Sequence, residues 1–159
     1  MFPQILDPCC GPKMMYFDKV DPRVLFGDKR RESHILCDGR VIEISPDLLC
    51  NFQALPFPDS SFSLVVFDPP HIDHAGPLSW QAKKYGKLDK YTYPQELRHG
   101  FMECWRCLKP AGTLIFKWSE VHITLSRVLD CFPEKPVFGH TTNSKSSTHW
   151  MCFFKEEER

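Results

Sequence analysis

The sequence lacks an excess of charge of either sign, a long apolar run and a secretion signal. Its 159 residues carry 20 Lys and Arg against 20 Asp and Glu, so no overall field attracts a polyanion or a membrane surface. Any nucleic-acid binding must come from a local patch. No apolar run approaches the ~20 residues that span a bilayer, and the first residues lack the basic and apolar regions of a signal peptide. We therefore expect a cytoplasmic protein without membrane contact.

Paired metal-binding motifs are also missing from the sequence. Eight cysteines are present, but without an export signal they are expected to be reduced thiols rather than a disulfide framework. Cys104 and Cys107 have the spacing of a zinc or redox pair, yet no second CxxC accompanies them. They lie in a helical pattern where this spacing places both thiols on one face, which favours packing. With no HExxH or HxH in the chain, we predict no metal site.

The length fits one domain, expected at 1–155 with a frayed acidic tail at 156–159. Short runs rich in Ile, Leu, Val and Phe, bounded by Gly, Pro and Asp, are typical of strands buried on both faces. They fall at 4–6, 24–26, 40–44, 63–67 and 113–118. Two further runs, at 136–140 and 149–155, predict an antiparallel hairpin at the carboxyl end.

The helix predictions are fewer. A long amphipathic helix is predicted at 93–108, with Pro94 in its first turn. A second is predicted at 121–129, with Val121, Leu125, Val128 and Leu129 on its inner face. The segments 14–19 and 33–38 give only weak helical patterns. Alternating strands and helices that end in a hairpin predict an α/β domain, with a mostly parallel sheet and an antiparallel edge.

Two loops carry residues suited to binding at the carboxyl ends of strands, where open α/β sheets bind ligands. In the first, Asp7 is followed by Gly11, which lets a ligand approach the main chain or serves a tight turn. In the second, Asp68 is followed by Pro69 and Pro70, which fix the backbone and remove two N–H donors. A rigid carboxylate beside a rigid carbonyl can hold an amino group by its two hydrogens.

Four segments resemble class I S-adenosylmethionine-dependent methyltransferases. Residues 7–11, DPCCG, resemble the glycine loop of that class, and residues 68–71, DPPH, resemble the motif of its amino-methylating branch, which includes adenine-N6 DNA and RNA methyltransferases. Residues 54–62, ALPFPDSSF, and 107–116, CLKPAGTLIF, are similar to two further segments of the superfamily. The four segments occur in the family's order, so together they indicate the superfamily more strongly than any one alone.

The resemblance implies a compact Rossmann-like fold with helices on both faces of the sheet, and S-adenosyl-L-methionine as the cofactor, with S-adenosyl-L-homocysteine as product. It places Asp7 and Gly11 against the methionine part, Asp28 on the ribose, and Asn51 and Phe52 near the adenine. The full set of expected cofactor contacts is Asp7, Pro8, Cys9, Gly11, Lys13, Asp28, Asn51 and Phe52.

The sequence departs from the family in two ways. Pro12 and Lys13 stand where a second glycine usually follows Gly11, so the commonest loop geometry is not available. We expect Lys13 to shape the methionine end of the pocket instead. Short helices around the second strand indicate a trimmed sheet. Asp38 and Asp47 remain alternatives for the ribose position.

By resemblance, the catalytic residues are Asp68, Pro69, Pro70 and His71. The carboxylate of Asp68 and the carbonyl of Pro69 would take the two hydrogens of an exocyclic amine and align its nitrogen with the methyl group. His71 follows where a planar side chain can stack on a base. A thiolate mechanism is disfavoured because no Pro-Cys pair follows this strand.

The substrate prediction rests on a local basic patch. From 83 to 109 there are seven basic and three acidic residues, and Lys and aromatic side chains together suit single-stranded nucleic acid; a solvated charged loop is the alternative. Residues 74–80 could form a lid. The expected substrate contacts are Trp80, Lys83, Lys84, Tyr85 and Lys87.

RNA is favoured over DNA as the substrate, because the chain has no separate target-recognition segment and an unpaired base needs no flipping. Three alternatives stay open. One is methylation of a protein or small-molecule amine. A second is a non-catalytic cofactor-binding module. A third is a homodimer or a subunit that needs a partner.

Overall fold

Nine strands and three helices form the described part of the chain. The computed structural model describes residues 2–76, 79–140 and 147–157. The elements are β1 Ile5–Asp7, β2 Val24–Asp28, β3 Glu32–Ile35, β4 Val41–Ile44, β5 Leu48–Leu49, β6 Phe62–Phe67, α1 Trp80–Tyr85, α2 Tyr93–Cys107, β7 Leu108–Ser119, α3 Leu125–Leu129, β8 Phe138–Gly139 and β9 Thr148–Phe154.

The main sheet has seven strands in the order β5-β2-β1-β6-β7-β9-β8. β1 pairs in parallel with both β2 and β6, and β6 pairs in parallel with β7. β9 runs antiparallel to β7 and β8, which confirms the predicted antiparallel hairpin at the carboxyl end. The chain moves outward from β1 to β2 and β5 and then returns to β6, so its direction reverses between β1 and β6. Ligands of open α/β sheets bind at such a reversal. The sheet that was expected to be trimmed has seven strands, of which β5 and β8 have only two residues each.

The main core lies between the sheet and helices α2 and α3. Leu97 and Phe101 of α2 and Val128 of α3 are fully buried in the same cluster as Phe67 and Phe116 of the sheet. On the opposite face a smaller cluster, Cys10, Val24 and Phe26 with Ile5 and Tyr16 beside it, is covered by the loop that follows β1. That loop is therefore packed as part of the fold and is held in place beside the sheet edge.

Helix α2 confirms the predicted long helix, with Pro94 in its first turn. Lys155 stabilises its carboxyl end, since the ammonium donates to the carbonyls of Trp105 and Leu108, each at 2.7 Å. Cations at this end satisfy carbonyls that lack a partner within the helix. Cys104 and Cys107 are both 0% exposed within the core, as predicted for packing residues.

Two weakly predicted helices are wrong. Residues 14–19 form turns without a helix, and 33–38 begins in strand β3. β3 and β4 form a separate antiparallel pair, so the strand predicted at 40–44 exists but lies outside the main sheet. Asp38-Gly39, with φ +83° at Gly39, makes the connecting turn. Asp-Gly between two segments of alternating apolar and polar residues favours a hairpin. This pattern was not recognised because the segment is mostly polar.

The helix predicted at 121–129 forms only at its second half. α3 covers Leu125–Leu129, and Val121 is 48% exposed rather than on an inner face. Helix α1 was not predicted, because its segment reads as a charged loop; Ser79 caps it by accepting from the Ala82 N–H. Residues 77–78 of the expected lid, most of the predicted hairpin tip and the last two residues of the expected tail lie outside the described residues. In the described part of the chain, no helix is long and apolar enough to cross a membrane.

Candidate active site

Three carboxylates follow three neighbouring parallel strands at one edge of the sheet. Asp7 ends β1, Asp28 ends β2 and Asp68 directly follows β6. Because β1 lies between the other two strands, the loops after β1 and β6 meet where the chain direction reverses. Gly11 and Asp68 line one cavity there, of about 50 Å³. The structure thus brings the two motifs together, as the sequence predicted.

Asp7 is fully buried and fully hydrogen-bonded. Its carboxylate accepts from the Cys9 N–H at 3.0 Å and from the Tyr16 hydroxyl at 2.8 Å. Burial raises the pKa of Asp7 to about 7, against the lowering effect of these two donors. In this conformation Asp7 holds the loop to β1 and does not line either of the two small cavities described below.

Asp28 organises the glycine loop from the next strand. Its Oδ2 accepts from the Gly11 N–H at 2.9 Å, and its Oδ1 accepts from the Arg30 N–H at 2.9 Å. The Arg30 guanidinium lies 3.4 Å from the same carboxylate. Asp28 borders a small cavity, and its role toward a ribose stays a prediction, in which a ribose hydroxyl would share or replace these donors. Of the two alternatives, Asp38 lies in the exposed β3–β4 turn and Asp47 accepts from the Phe26 N–H.

The glycine loop keeps a left-handed backbone at both positions where the family pattern has glycine. Gly11 has φ +49° and Lys13 has φ +54°. A side chain in this region costs about 1–2 kcal/mol, and the contacts of Lys13 offset part of this. Its ammonium lies 4.1 Å above the Phe26 ring and donates to the Lys19 carbonyl at 3.2 Å. The structure thus places Lys13 beside a neighbouring cleft rather than in the cavity of Gly11 and Asp68.

Asp68 is paired with a lysine that sequence reasoning missed. The Lys117 ammonium donates to Asp68 Oδ2 at 2.7 Å, and each side chain is about one fifth exposed. Burial raises the pKa of Asp68, and Lys117 acts in the opposite direction. Within the described residues, Asp68 Oδ1 accepts no hydrogen bond. One carboxylate oxygen is therefore fixed and the other remains available for a donor from a ligand. Lys117 gives no motif signal, since it is one basic residue within a strand pattern.

His71 is buried rather than presented to solvent. Its ring is 9% exposed and packs against Tyr85, with 4.9 Å between centroids, and against Trp118 at 6.3 Å. Burial, with a contribution from Lys117, lowers the pKa of His71 to about 4, so the imidazole is neutral at physiological pH. Stacking on a base, as predicted for His71, requires Tyr85 to move first.

Two small cavities lie at this edge of the sheet. The cavity of about 50 Å³ is bordered by Gly11, Asp68 and Lys117, and a second, of about 20 Å³, is bordered by Pro8, Asp28, Phe52 and Pro70. Cys9 and Tyr85 border both, so Tyr85 separates the two halves. Phe52 is mostly a core residue, at 5% exposed and packed against Phe67. Asn51 is exposed and its amide oxygen accepts from the Gln53 N–H, so the structure does not bring it to either cavity.

Helix α1 and the residues after it cover this groove. The Lys84 carbonyl lies 3.6 Å from the position of a Cβ on Gly11, and Gly86 packs against Pro70 and Arg30. Arg30 Nη1 donates to the Lys83 carbonyl at 2.8 Å. The residues that cover the groove are 83–86. They follow the predicted lid, residues 74–80, in the sequence.

A cavity of about 570 Å³ adjoins the covered groove. It lies between the β3–β4 pair, the glycine loop and α1, and shares Pro12, Met14 and Lys84 with the smaller cavity of Asp68. Four of its five charged side chains are basic. They are Lys13, Lys19, Arg40 and Lys84, and the acidic one is Glu43. Trp80 lines it as well, half exposed. Among the predicted substrate residues, Trp80 and Lys84 therefore reach a basic cleft, while Lys87 is exposed and does not border it.

Solved structures share this fold. Over 96% of this chain and 81% of the other, the structure is similar to the PH0226 protein of Pyrococcus horikoshii OT3, with a TM-score of 0.58 and 15% identity. A SAM-dependent methyltransferase of Methanosarcina mazei matches over 97% and 92% of the two chains, with a TM-score of 0.52 and 15% identity. A chain of the complex between the Haloferax volcanii methyltransferase activator Trm112 and a protein described as a methyltransferase matches over 98% and 84%, with a TM-score of 0.51 and 14% identity.

The sequence matches no protein-family model and no curated protein at a significant level. The likeness to solved structures therefore defines the fold: a seven-stranded, mostly parallel sheet of the Rossmann-like methyltransferase type, with an antiparallel strand near its carboxyl-terminal edge.

Proposed function

We propose that the protein is a methyltransferase that binds S-adenosyl-L-methionine and methylates an exocyclic amino group, most specifically that of adenine in RNA. The observation that carries the proposal is the meeting of two loops at the reversal point of a methyltransferase fold. The glycine loop after β1 and Asp68, the first residue of the turn after β6, border one cavity, and Asp68 Oδ1 accepts no hydrogen bond from the described residues.

The groove on the sheet edge has the donors and acceptors that this cofactor requires. Asp28 offers a carboxylate for a diol, and the edge of Phe52 borders the same cavity for an aromatic ring. At the other end Gly11 has no side chain to obstruct a ligand, and the Lys84 carbonyl covers this position in the described conformation. In the described conformation Tyr85 divides the groove, so the residues fit the cofactor once α1 has shifted.

S-adenosyl-L-methionine, when bound, supplies a methyl group on a positively charged sulfur. The protein's part is positional, since an exocyclic amine on an aromatic ring is a weak nucleophile. Asp68 Oδ1 and the Pro69 carbonyl take the two N–H donors and orient the nitrogen lone pair. Lys117 keeps the other carboxylate oxygen fixed, and the two prolines limit the motion of the turn. Transfer of the methyl group would break its bond to sulfur and form the carbon–nitrogen bond, and the nitrogen held by Asp68 and Pro69 would lose one proton to solvent.

The basic cleft supports a nucleic-acid substrate. Four cationic side chains and the Trp80 ring line a cavity that adjoins the proposed methyl-transfer position. Lysine and arginine neutralise phosphates, and an aromatic ring can stack on an unpaired base. A single-stranded target is favoured because its bases are accessible without being flipped out of a duplex.

The test is methyl transfer from labelled S-adenosylmethionine to separate pools of deproteinised RNA and genomic DNA, both from a host without the gene. We expect label in RNA, with transfer lost in Asp68→Ala. Asp68→Asn keeps a carbonyl acceptor and should retain part of the activity. Asp130→Ala, at an exposed position that follows α3, is the matched control and should behave as the wild type. Label found only in DNA would show that DNA, and not RNA, is the substrate. If neither pool is labelled although the protein binds the cofactor, free nucleic acid is excluded as the substrate.

A second candidate is a subunit that acts only with a partner. The observation favouring it is the coverage of the groove by residues 83–86, which a partner could relieve. The structure of the Haloferax volcanii complex contains the methyltransferase activator Trm112. If calorimetry shows no cofactor binding by the isolated chain but binding after a host extract is added, this account replaces autonomous activity.

A further inference from the structure

Asp73, His74 and His122 form a compact side-chain cluster beyond the proposed methyl-transfer position. Asp73 and His74 follow the Asp68-Pro69-Pro70-His71 turn, and His122 lies in the loop after β7. His74 Nδ1 is 2.5 Å and His122 Nδ1 is 2.9 Å from the same oxygen, Asp73 Oδ1. The two imidazole rings stack with centroids 3.7 Å apart and an interplanar angle of 14°. One potential ligand atom from each residue lies within 4.8 Å of the others.

His122 Nδ1 lies close to two groups of Asp73. It accepts from the Asp73 N–H at 3.3 Å, which requires a lone pair on that nitrogen. The same nitrogen lies 2.9 Å from Asp73 Oδ1. An imidazole lone pair and a carboxylate oxygen are both atoms that can bind a cation.

We propose that Asp73, His74 and His122 bind one divalent transition-metal ion of the zinc class. Two imidazole nitrogens and one carboxylate oxygen are a ligand set that suits zinc and its neighbours better than magnesium or calcium. Ligand atoms of a tetrahedral zinc site lie about 3.3 Å apart, given bonds of about 2.0–2.1 Å. The two nitrogen–oxygen separations need to open by less than about 1 Å to reach this geometry, and the stacked rings need to turn apart so that both nitrogen lone pairs point to the ion.

The proposed ion has a buried side and an open side. The Asp73 and His122 side chains are 12% and 16% exposed, whereas that of His74 is 70% exposed. Three protein ligands leave one position of a tetrahedral ion for water or for an oxygen of another molecule, and this position faces solvent next to His74.

The ion would fasten two segments that are distant in sequence. His122 is separated from Asp73 by 49 residues, and Ile72 between the cluster and His71 is almost fully buried. A metal here would hold the segment after the Pro69-Pro70 turn to the loop after Lys117 and Trp118. This inference does not depend on the proposed methyl transfer, because the binding can be measured without cofactor or nucleic acid.

The test is zinc binding by the metal-stripped full chain, measured by calorimetry. It is made in a Cys37→Ser background because Cys37 is an exposed cysteine whose thiolate could also bind zinc. We expect one equivalent of Zn²⁺ and at least tenfold weaker binding in His74→Asn and in His122→Asn. Added Zn²⁺ should raise Tm in the Cys37→Ser protein but not in His74→Asn. Co²⁺ should give the visible bands of a four-coordinate site.

His34→Asn is the matched control. His34 also lies near a carboxylate, 2.8 Å from Glu32, but without a second histidine among the described residues. It should bind zinc as tightly as the Cys37→Ser protein. Because the His74 side chain is exposed, His74→Asn should fold normally, which circular dichroism of the metal-free protein checks. The proposal is overturned if no saturable binding occurs, or if folded His74→Asn and His122→Asn bind as tightly as the control.

Discussion

Lys117 and Asp68 meet across two neighbouring parallel strands. Phe67 of β6 is in register with Phe116 of β7, so the next residue of each strand lies side by side at the sheet edge. The ammonium and the carboxylate are 2.7 Å apart, which fixes one oxygen of Asp68 and leaves the other for a ligand. The register therefore sets the charge and the orientation of the proposed catalytic carboxylate.

Removing the Lys117 charge should move the pH dependence of activity. Burial raises the pKa of Asp68 and Lys117 opposes this rise, so in Lys117→Met the carboxylate ionises only at higher pH. We expect kcat/KM at pH 7 to fall about tenfold to hundredfold and to recover as the pH rises. Lys117→Arg keeps the charge and should retain most of the activity. A reduced rate in Lys117→Met with an unshifted pH profile would contradict the positioning role.

Asp7 should make the protein less stable as the pH rises. Its pKa is about 7 in the folded protein against 3.8 as the reference value. The folded state binds this proton more tightly than the unfolded state. The contribution of the proton to the free energy of unfolding is therefore complete below about pH 4 and is lost as the pH rises to about 7. Asp7→Asn keeps a carbonyl acceptor for the Cys9 N–H and removes the buried charge, while its amide N–H can donate to the Tyr16 hydroxyl oxygen. We expect it to raise the free energy of unfolding at pH 8 by on the order of 2–4 kcal/mol, with little gain at pH 4, by urea titration at both pH values. An equal effect at both would show that ionisation is not the cause.

Gly11 is required for backbone conformation rather than for space. Its φ is +49°, and an added Cβ would meet only the Lys84 carbonyl, at 3.6 Å. Gly11→Ala should therefore destabilise the protein by about 1–2 kcal/mol through strain in the left-handed region. Gly76→Ala is the control, since nothing lies within 4 Å of its Cβ position. Thermal unfolding of both variants tests the difference, and equal Tm values would contradict the strain argument.

Gly100 of α2 is required for space. A Cβ there would lie 2.4 Å from Phe52 Cδ2 and 2.9 Å from Phe67 Cζ. Gly100→Ala should gain helix propensity but lose more through overpacking, with a net cost of about 1–2 kcal/mol. Because Phe52 also borders the proposed cofactor groove, cofactor affinity should fall too. His99→Ala, at an exposed position of the same helix, should change neither property in denaturation and calorimetry; a stable Gly100→Ala would show that Phe52 can repack.

Much of the fold was predictable from the apolar runs of the sequence and from the order in which strands and helices follow one another. Buried strands read as apolar runs, Pro94 marks the start of α2, and the two runs at the carboxyl end predicted the antiparallel pair. The failures lie where a segment is short or mostly polar. The β3–β4 pair exposes Ile35 and Val41, so its pattern resembled neither a buried strand nor a clear helix.

The sequence by itself determined which residues stand at the ends of strands. Asp7, Asp28 and Asp68 follow apolar runs, and parallel pairing brings such positions to one edge. Their partners follow from the folded chain, because Lys117 and Tyr16 come from other segments and are placed by strand register and loop packing. The same holds for Asp73 and His122, which are 49 residues apart. Local propensity acts over a few residues, whereas side-chain contacts between distant segments depend on the completed sheet.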